Sequence, residues 1–250
     1  MYIDTHLHLE NDSNTENIIK EACENNVKKL IISGCDKSGI LHSIELIKKY
    51  DNVYATIGYH PSESTIVTDK DLIELEKFII SNKKIIGLGE IGLDYYYGKE
   101  NKEQQLILFN KQLMIAEKLN IPVVIHSRDA FLDTYNTLKK YSLKGIIHCF
   151  SGSYEVAEQY VKLGYVLGIG GVVTFKNSNL PEVISKIDLK NIVLETDSPY
   201  LVPDPYRGNK NYPKFIPIIG QKISEIKKIS TLEVEKITCE NVCRIFDLKI

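Results

Sequence analysis

The chain has 250 residues, 43% hydrophobic and 26% charged, with a formal net charge of −2 and a sequence pI near 6.3. That length suits one barrel-sized domain with a large core, and the near-neutral balance excludes a global basic field for gripping a long polyanion. Five cysteines, an odd number without a Cys-x-x-Cys pair, read as reduced thiols rather than a disulfide framework.

Short β-branched runs alternate with Lys/Glu-rich amphipathic stretches from one end to the other. Strands are predicted at 2–5, 29–33, 53–57, 85–89, 122–125, 145–148, 165–169 and 192–195. The intervening helices are predicted at 15–26, 38–50, 69–82, 103–119, 130–141, 154–163, 180–187 and 214–229. Leu106, Phe109, Leu113 and Ala116, for instance, keep helical spacing. With no linker, repeat or composition break, this pattern predicts an α/β fold, a single (β/α)8 barrel domain over 1–250, with an open doubly wound sheet as the competing architecture. An extra C-terminal helix over 232–246 is expected outside or across the bottom. The segment 198–217 carries Pro199, Pro203, Pro205, Pro213 and Pro217, and reads as a long ordered loop of the kind that bears function. No basic n-region or apolar h-region opens the chain, and no apolar run is long enough to span a bilayer. The expectation is a soluble cytoplasmic protein without a membrane partner.

Five of the six histidines fall at predicted strand ends: His6 and His8 on the first, His60 on the third, His126 on the fifth and His148 on the sixth. Only His42 lies in a helix; Glu90 ends the fourth strand and Asp197 follows the eighth. In a (β/α)8 barrel these ends open on one face, where catalytic groups gather. His6 and His8 stand two apart on an extended segment, roughly 6.5–7 Å along the backbone, so both rings point to one side and reach one ion. Asp4 shares their parity and is expected to orient a ring. A carboxylate such as Glu90 at the end of an apolar strand is costly to bury unless paired or bound to a cation, and its two oxygens can bridge two ions. His126 and His148 supply a second set of nitrogen donors. Asp197 reads as a ligand and as a general base toward water. Glu195, of the same strand parity, is expected either to orient a ligand or to face substrate.

The motifs DTHLHLE, GYHP, GEIGLDYYY, HSRDA, HCFSGS, ETDSPYL and PYRGNKN occur in this order over essentially the whole chain. Together they are similar to those of the TatD-like family of metal-dependent hydrolases, within the amidohydrolase superfamily. The resemblance implies a (β/α)8 barrel and deoxyribonuclease activity, often exonucleolytic. It also implies that His6, His8, Glu90 and Asp197 hold one divalent ion while Glu90, His126 and His148 hold the other. Classical amidohydrolases bridge their metals with a carbamylated lysine, and Glu90 in that role separates this chain from them. One departure stands out: Tyr212, before Pro213, occupies the place of a glutamate in the family's last motif, although Arg207, Gly208 and Asn211 remain.

The chemistry expected is two-metal phosphodiester hydrolysis by activated water, with Glu90 and Asp197 as the catalytic carboxylates and no organic cofactor. The ions are Mg, Mn or Zn, a choice that His and carboxylate donors do not make. Two divalent ions outweigh the carboxylates that bind them and favour an anionic substrate. The chain uses lysine heavily and has three arginines, Arg128, Arg207 and Arg244, of which the first two fall in loops on the expected catalytic face. Both are candidate phosphate clamps, since guanidinium grips phosphate with two parallel bonds. His60 is expected to donate to a phosphate oxygen or to cap its loop, and Tyr95, Tyr96 and Tyr97 are candidate base-stacking rings. Lacking a basic stripe, the mouth suits a short single strand or a DNA end. The same activated water would serve a deacylase or lactonase, and a purely structural barrel would be expected to lack ligands that are present here. Oligomeric state is not written in these motifs, and a monomer is compatible with them.

Overall fold

The computed structural model describes residues 1–9, 14–96, 98 and 100–248. Eight strands form one parallel sheet in sequential order: β1 (Tyr2–Leu7), β2 (Val27–Gly34), β3 (Val53–Ile57), β4 (Ile85–Asp94), β5 (Val123–Arg128), β6 (Gly145–Ile147), β7 (Tyr165–Ile169) and β8 (Ile192–Leu194). A helix follows each strand: α1 (Thr15–Glu24), α2 (Lys37–Lys49), α3 (Asp69–Ser81), α4 (Lys102–Leu119), α5 (Phe131–Leu138), α6 (Tyr154–Lys162), α7 (Leu180–Lys186) and α8 (Ile216–Lys227). An extra helix, α9 (Thr231–Phe246), ends the fold.

The sheet closes into a (β/α)8 barrel, because β8 returns to β1. Thr5 Oγ1 donates to Leu194 O at 3.0 Å, Asp197 N to His6 O at 2.9 Å and His8 N to Ser198 O at 2.7 Å. Asp4, fully buried, adds a side-chain tie across this seam by accepting Thr196 N at 2.9 Å and Thr196 Oγ1 at 2.5 Å. The seam is therefore sewn by the residues that flank His6, His8 and Asp197.

Helix starts follow local chemistry. Asp36 accepts Gly39 N at the start of α2, and Thr68 with Asp71 and Ser230 with Glu233 form capping boxes on α3 and α9. Helix α8 begins at Ile216, two residues later than its periodicity predicts, because Pro213–Phe215 forms a 3-10 turn first. Among the described residues no helix is long and apolar enough to cross a membrane.

Along the inward face of a strand, apolar residues sit low and chemical groups sit high. Val124 lies two residues before His126, Ile146 two before His148 and Val193 two before Glu195, so one alternation fills the floor and arms the mouth. The floor cluster joins Ile3, Ile31, Val124, Ile146, Val166 and Val193 to Cys239, Val242, Ile245 and Phe246 of α9. Helix α9 thus crosses the bottom of the barrel and seals it. A second apolar layer, including Leu30, Leu88, Phe109, Leu113 and Tyr165, packs the helices on the outside of the sheet.

Candidate metal centre

Two strands lose their regular register where ligand candidates stand. The β1–β2 pairing shifts between Asp4 and Leu7, and the β4–β5 pairing shifts between Leu88 and Ile91. Such bulges turn a strand locally and re-aim its side chains, here His6 and Glu90. Close approach of β4 to β5 also needs Gly92, whose φ is +147° and whose Cβ would lie 1.9 Å from His126 O. At the other strand ends Cys149 and Asp197 adopt positive φ (47° and 54°), a conformation that non-glycine residues accept only under constraint from their surroundings.

Glu90 is the hub. Its Oε2 lies 3.4 Å from His6 Nε2 and 3.7 Å from His8 Nε2. Its Oε1 lies 2.8 Å from His126 Nδ1, 3.1 Å from His148 Nε2 and 3.9 Å from His60 Nε2. Asp197 Oδ1 stands on the first side, 3.6 Å from His8 Nε2 and 3.8 Å from His6 Nε2. Each oxygen of one buried carboxylate therefore faces its own group of imidazoles.

This donor set fits divalent cations. Three groupings, His6/His8/Glu90, His6/His148/Asp197 and His60/Glu90/His126, each bring their ligand atoms within 4.8 Å of one another. Burial opposes the charge on Glu90, yet the imidazoles around it, His148 foremost, hold its carboxyl well below the usual range. Burial pushes His6 down and His60 down to about 4, leaving both rings in the neutral form that offers a lone pair. Burial also works against charge on His8 and His148, but Asp197 beside the one and Glu90 beside the other raise them well above the ordinary value. At those two rings the neighbouring carboxylates outweigh burial. The His6 Nδ1 atom is buried without a hydrogen bond, and His148 Nδ1 has only Glu195 Oε1 near it at 3.5 Å, so both rings turn their Nε2 atoms to Glu90.

The structure brings His6, His8, Glu90, His126, His148 and Asp197 together, with His60 at their edge. His60 does more than its loop position suggests: Nδ1 accepts Ser62 N at 3.2 Å as a cap, while Nε2 turns toward Glu90. Glu195 is fully buried and faces the cluster from below rather than substrate; Oε1 accepts Cys149 N at 2.5 Å and lies 3.5 Å from His148 Nδ1. Gly168 makes room for it, since a Cβ there would come within 2.1 Å of Glu195 Oε2.

Two expectations need correction. Asp4 does not touch a histidine ring; it binds Thr196 and, at 3.3 Å, the His6 backbone, so it positions the strand and not the imidazole. Tyr95 is 7% exposed and gives its hydroxyl to Asp133 at 2.9 Å, so its ring is packed and not a stacking face. The exposed ring is Tyr96, with the Arg128 guanidinium 3.7 Å from its centroid; Tyr97 lies outside the described residues. Arg207, in the loop after β8, lies 3.8 Å over Phe175. Tyr212 packs beside Phe215 and under Lys214, so the residue that departs from the family motif serves loop packing.

Two contributors escape a strand-end reading. Asp94 Oδ2 lies 3.1 Å from His126 Nε2, a contact hinted at only by its place four residues after Glu90. Asn211, 1% exposed, donates to Thr196 O at 2.8 Å and Tyr200 O at 2.6 Å, binding the long loop to the end of β8 beside Asp197.

A (β/α)8 barrel whose mouth gathers imidazoles around a shared carboxylate is the architecture of a metal-dependent hydrolase. The family model described as TatD related DNase matches residues 3–247, and the chain belongs to that family. It is 37% identical to the uncharacterized metal-dependent hydrolase YabD of Bacillus subtilis over 98% of this chain and 99% of that one. It is 30% identical to the metal-dependent hydrolase YcfH of Escherichia coli, covering 98% of this chain and 96% of that one. Among solved structures, the TatD homologue YjjV of Escherichia coli superposes with a TM-score of 0.94 at 28% identity, covering 99% of this chain and 98% of that one.

Proposed function

We propose that the protein is a two-metal phosphodiesterase acting on DNA, at a chain end or along a short single strand. One observation carries the substrate class: the guanidiniums of Arg128, at the end of β5, and Arg207, in the loop after β8, lie 3.7 and 3.8 Å over the ring centres of Tyr96 and Phe175. An arginine stacked on a ring keeps its planar N–H edge oriented for a phosphate, with less freedom lost on binding. The exposed faces of Tyr96 and Tyr200 are the sequence-tolerant surfaces on which bases stack.

His6, His8, Glu90 and Asp197 would hold one ion, and Glu90, His126 and His148 the other, in Mg, Mn or Zn form. Bound there, such ions polarise a phosphoryl oxygen and make water acidic enough to attack at neutral pH. The chain supplies the rest. Glu90 fixes the spacing of the two donor groups, and Asp94 and Glu195 steady the rings of His126 and His148 from behind. Burial works against charge on Asp197, but His8 beside it holds its carboxyl below the usual range, so the ionised group would both bind the ion and accept a hydrogen bond from the attacking water.

The test is a 3′-labelled single-stranded DNA incubated with the Mg- or Mn-loaded protein, beside ester and amide substrates. Release of nucleotides, with KM raised about ten-fold or more in Arg207→Ala, supports the reading. Turnover of an ester or amide alone, with DNA left whole, replaces it with a deacylase or lactonase.

A further inference from the structure

Helices α3 and α4 carry exposed aliphatic side chains at a seven-residue spacing, away from the donor cluster. Ile66, Ile73 and Ile80 stand on α3 and the turn before it, and Ile107 and Met114 on α4, each 51–68% exposed. Seven residues are two helical turns, so Ile73 and Ile80 on α3, and Ile107 and Met114 on α4, follow one edge of their helix about 10.5 Å apart, with Ile66 in the turn before α3. The two edges are neighbours, because Asp69 pairs with Lys111 at 2.7 Å and Glu76 with Lys118 at 2.5 Å. Ile73 lies four residues after Asp69 and three before Glu76; Met114 lies three after Lys111 and four before Lys118. Both apolar side chains therefore sit between the same two ion pairs. The face alternates rows of aliphatic side chains with rungs of opposite charge.

Nothing in the barrel needs this pattern. Exposed ion pairs add little to a monomer, and exposed aliphatic side chains gathered on one face with charged side chains between them are the pattern of an interaction site. The five side chains expose on the order of 500 Å². With the stems of the flanking lysines, the face approaches the roughly 800 Å² that each partner gives to a standard stable interface.

We propose that this face binds a second copy of the chain, in a two-fold dimer that packs α3 on the partner's α4. The two rungs select that arrangement, since α3 gives the acid and α4 the lysine of both, while Lys70 and Lys77 of α3 flank Ile73 on the side away from α4. With the axis along the helices, each acid meets a partner lysine at its own level, and every rung becomes half of a ring of four alternating charges. Ile73 then meets the partner's Met114. With the axis across the helices, α3 would lie on α3 and acid would oppose acid. Because the helices run along the barrel, the favoured axis leaves both mouths opening toward the same side.

Sedimentation equilibrium on the full chain tests the proposal. The expected result is twice the 28.5 kDa monomer mass at micromolar concentration, and the monomer mass for Ile73→Glu/Met114→Glu with an unchanged circular dichroism spectrum. Glu76→Lys alone should also dissociate the dimer, and Glu76→Lys/Lys118→Glu should restore it, which a folding defect would not do. Monomer at every concentration, or a dimer indifferent to the double aliphatic variant, overturns the proposal. A dimer tightened by Glu76→Lys overturns the α3-on-α4 arrangement.

Discussion

At the scale of single residues, the molecule turns on how one carboxylate is surrounded. Glu90 faces His6 and His8 with one oxygen and His126 and His148 with the other. Residues behind the donors set how well they bind. Glu195, held by Cys149 N and given room by Gly168, backs His148. Glu195→Gln is therefore expected to weaken metal affinity by about 10–100-fold, measured by competition with a chelating dye, without unfolding the chain. Gly168→Ala should do the same by pushing the carboxylate aside, and unchanged affinity in both variants would remove Glu195 from this role. His6, His8, Glu90, His126, His148 and Asp197 were legible as candidates because each ends a strand-like run. Asp94 was not, since the predicted fourth strand ends at residue 89 whereas β4 runs on to Asp94. Tyr95 and Tyr96 are neighbours in a uniform run, and only packing against Asp133 or Arg128 separates a buried ring from an exposed one.

At the scale of elements, caps and bulges decide what the periodicity leaves open. Strands β3 and β7 begin and end as predicted, whereas β1, β4 and β5 run past their predicted ends into the site. That extension is a property of the closed sheet, which keeps pairing β4 with β5 as far as Asp94 and Arg128. Helix α9 was legible as a helix, but its place became evident only with the floor cluster it covers. Phe246→Ala is expected to cost about 3–5 kcal/mol in urea unfolding while leaving metal affinity unchanged, because it opens the floor and not the mouth. On α3, the Thr68 side chain and backbone, with Lys37, hold Asp71 at about 2 against an ordinary 3.8. A lowered carboxyl stabilises the fold above the unfolded value and loses that contribution as pH falls through the folded one. Thr68→Ala should accordingly flatten the acid limb of stability between pH 3.8 and about 2, read from thermal midpoints against pH.

At the scale of the whole molecule, the seam between β8 and β1 is where the fold and the site coincide. His6, His8 and Asp197 both complete the cluster and lie on the hydrogen bonds that close the barrel. Cations held there bind the closed barrel and not the unfolded chain. At a hundred-fold excess over Kd this adds about 2.7 kcal/mol, so chelation should lower the melting temperature by about 5–10 °C. Eight alternating units pointed to a barrel but left an open doubly wound sheet in competition, and the sharing of seam and site was not legible, because it depends on Asp4 and Thr196 meeting across 192 residues of chain.

The central claim, two ions organised by Glu90, is tested most directly by metal content per chain after equilibration with excess Mn or Zn and removal of unbound ion. Two ions per chain in the parent protein, falling to one or none in Glu90→Ala while the fold persists, is the result predicted here. No bound metal in the parent protein, or an unchanged content in Glu90→Ala, would contradict it.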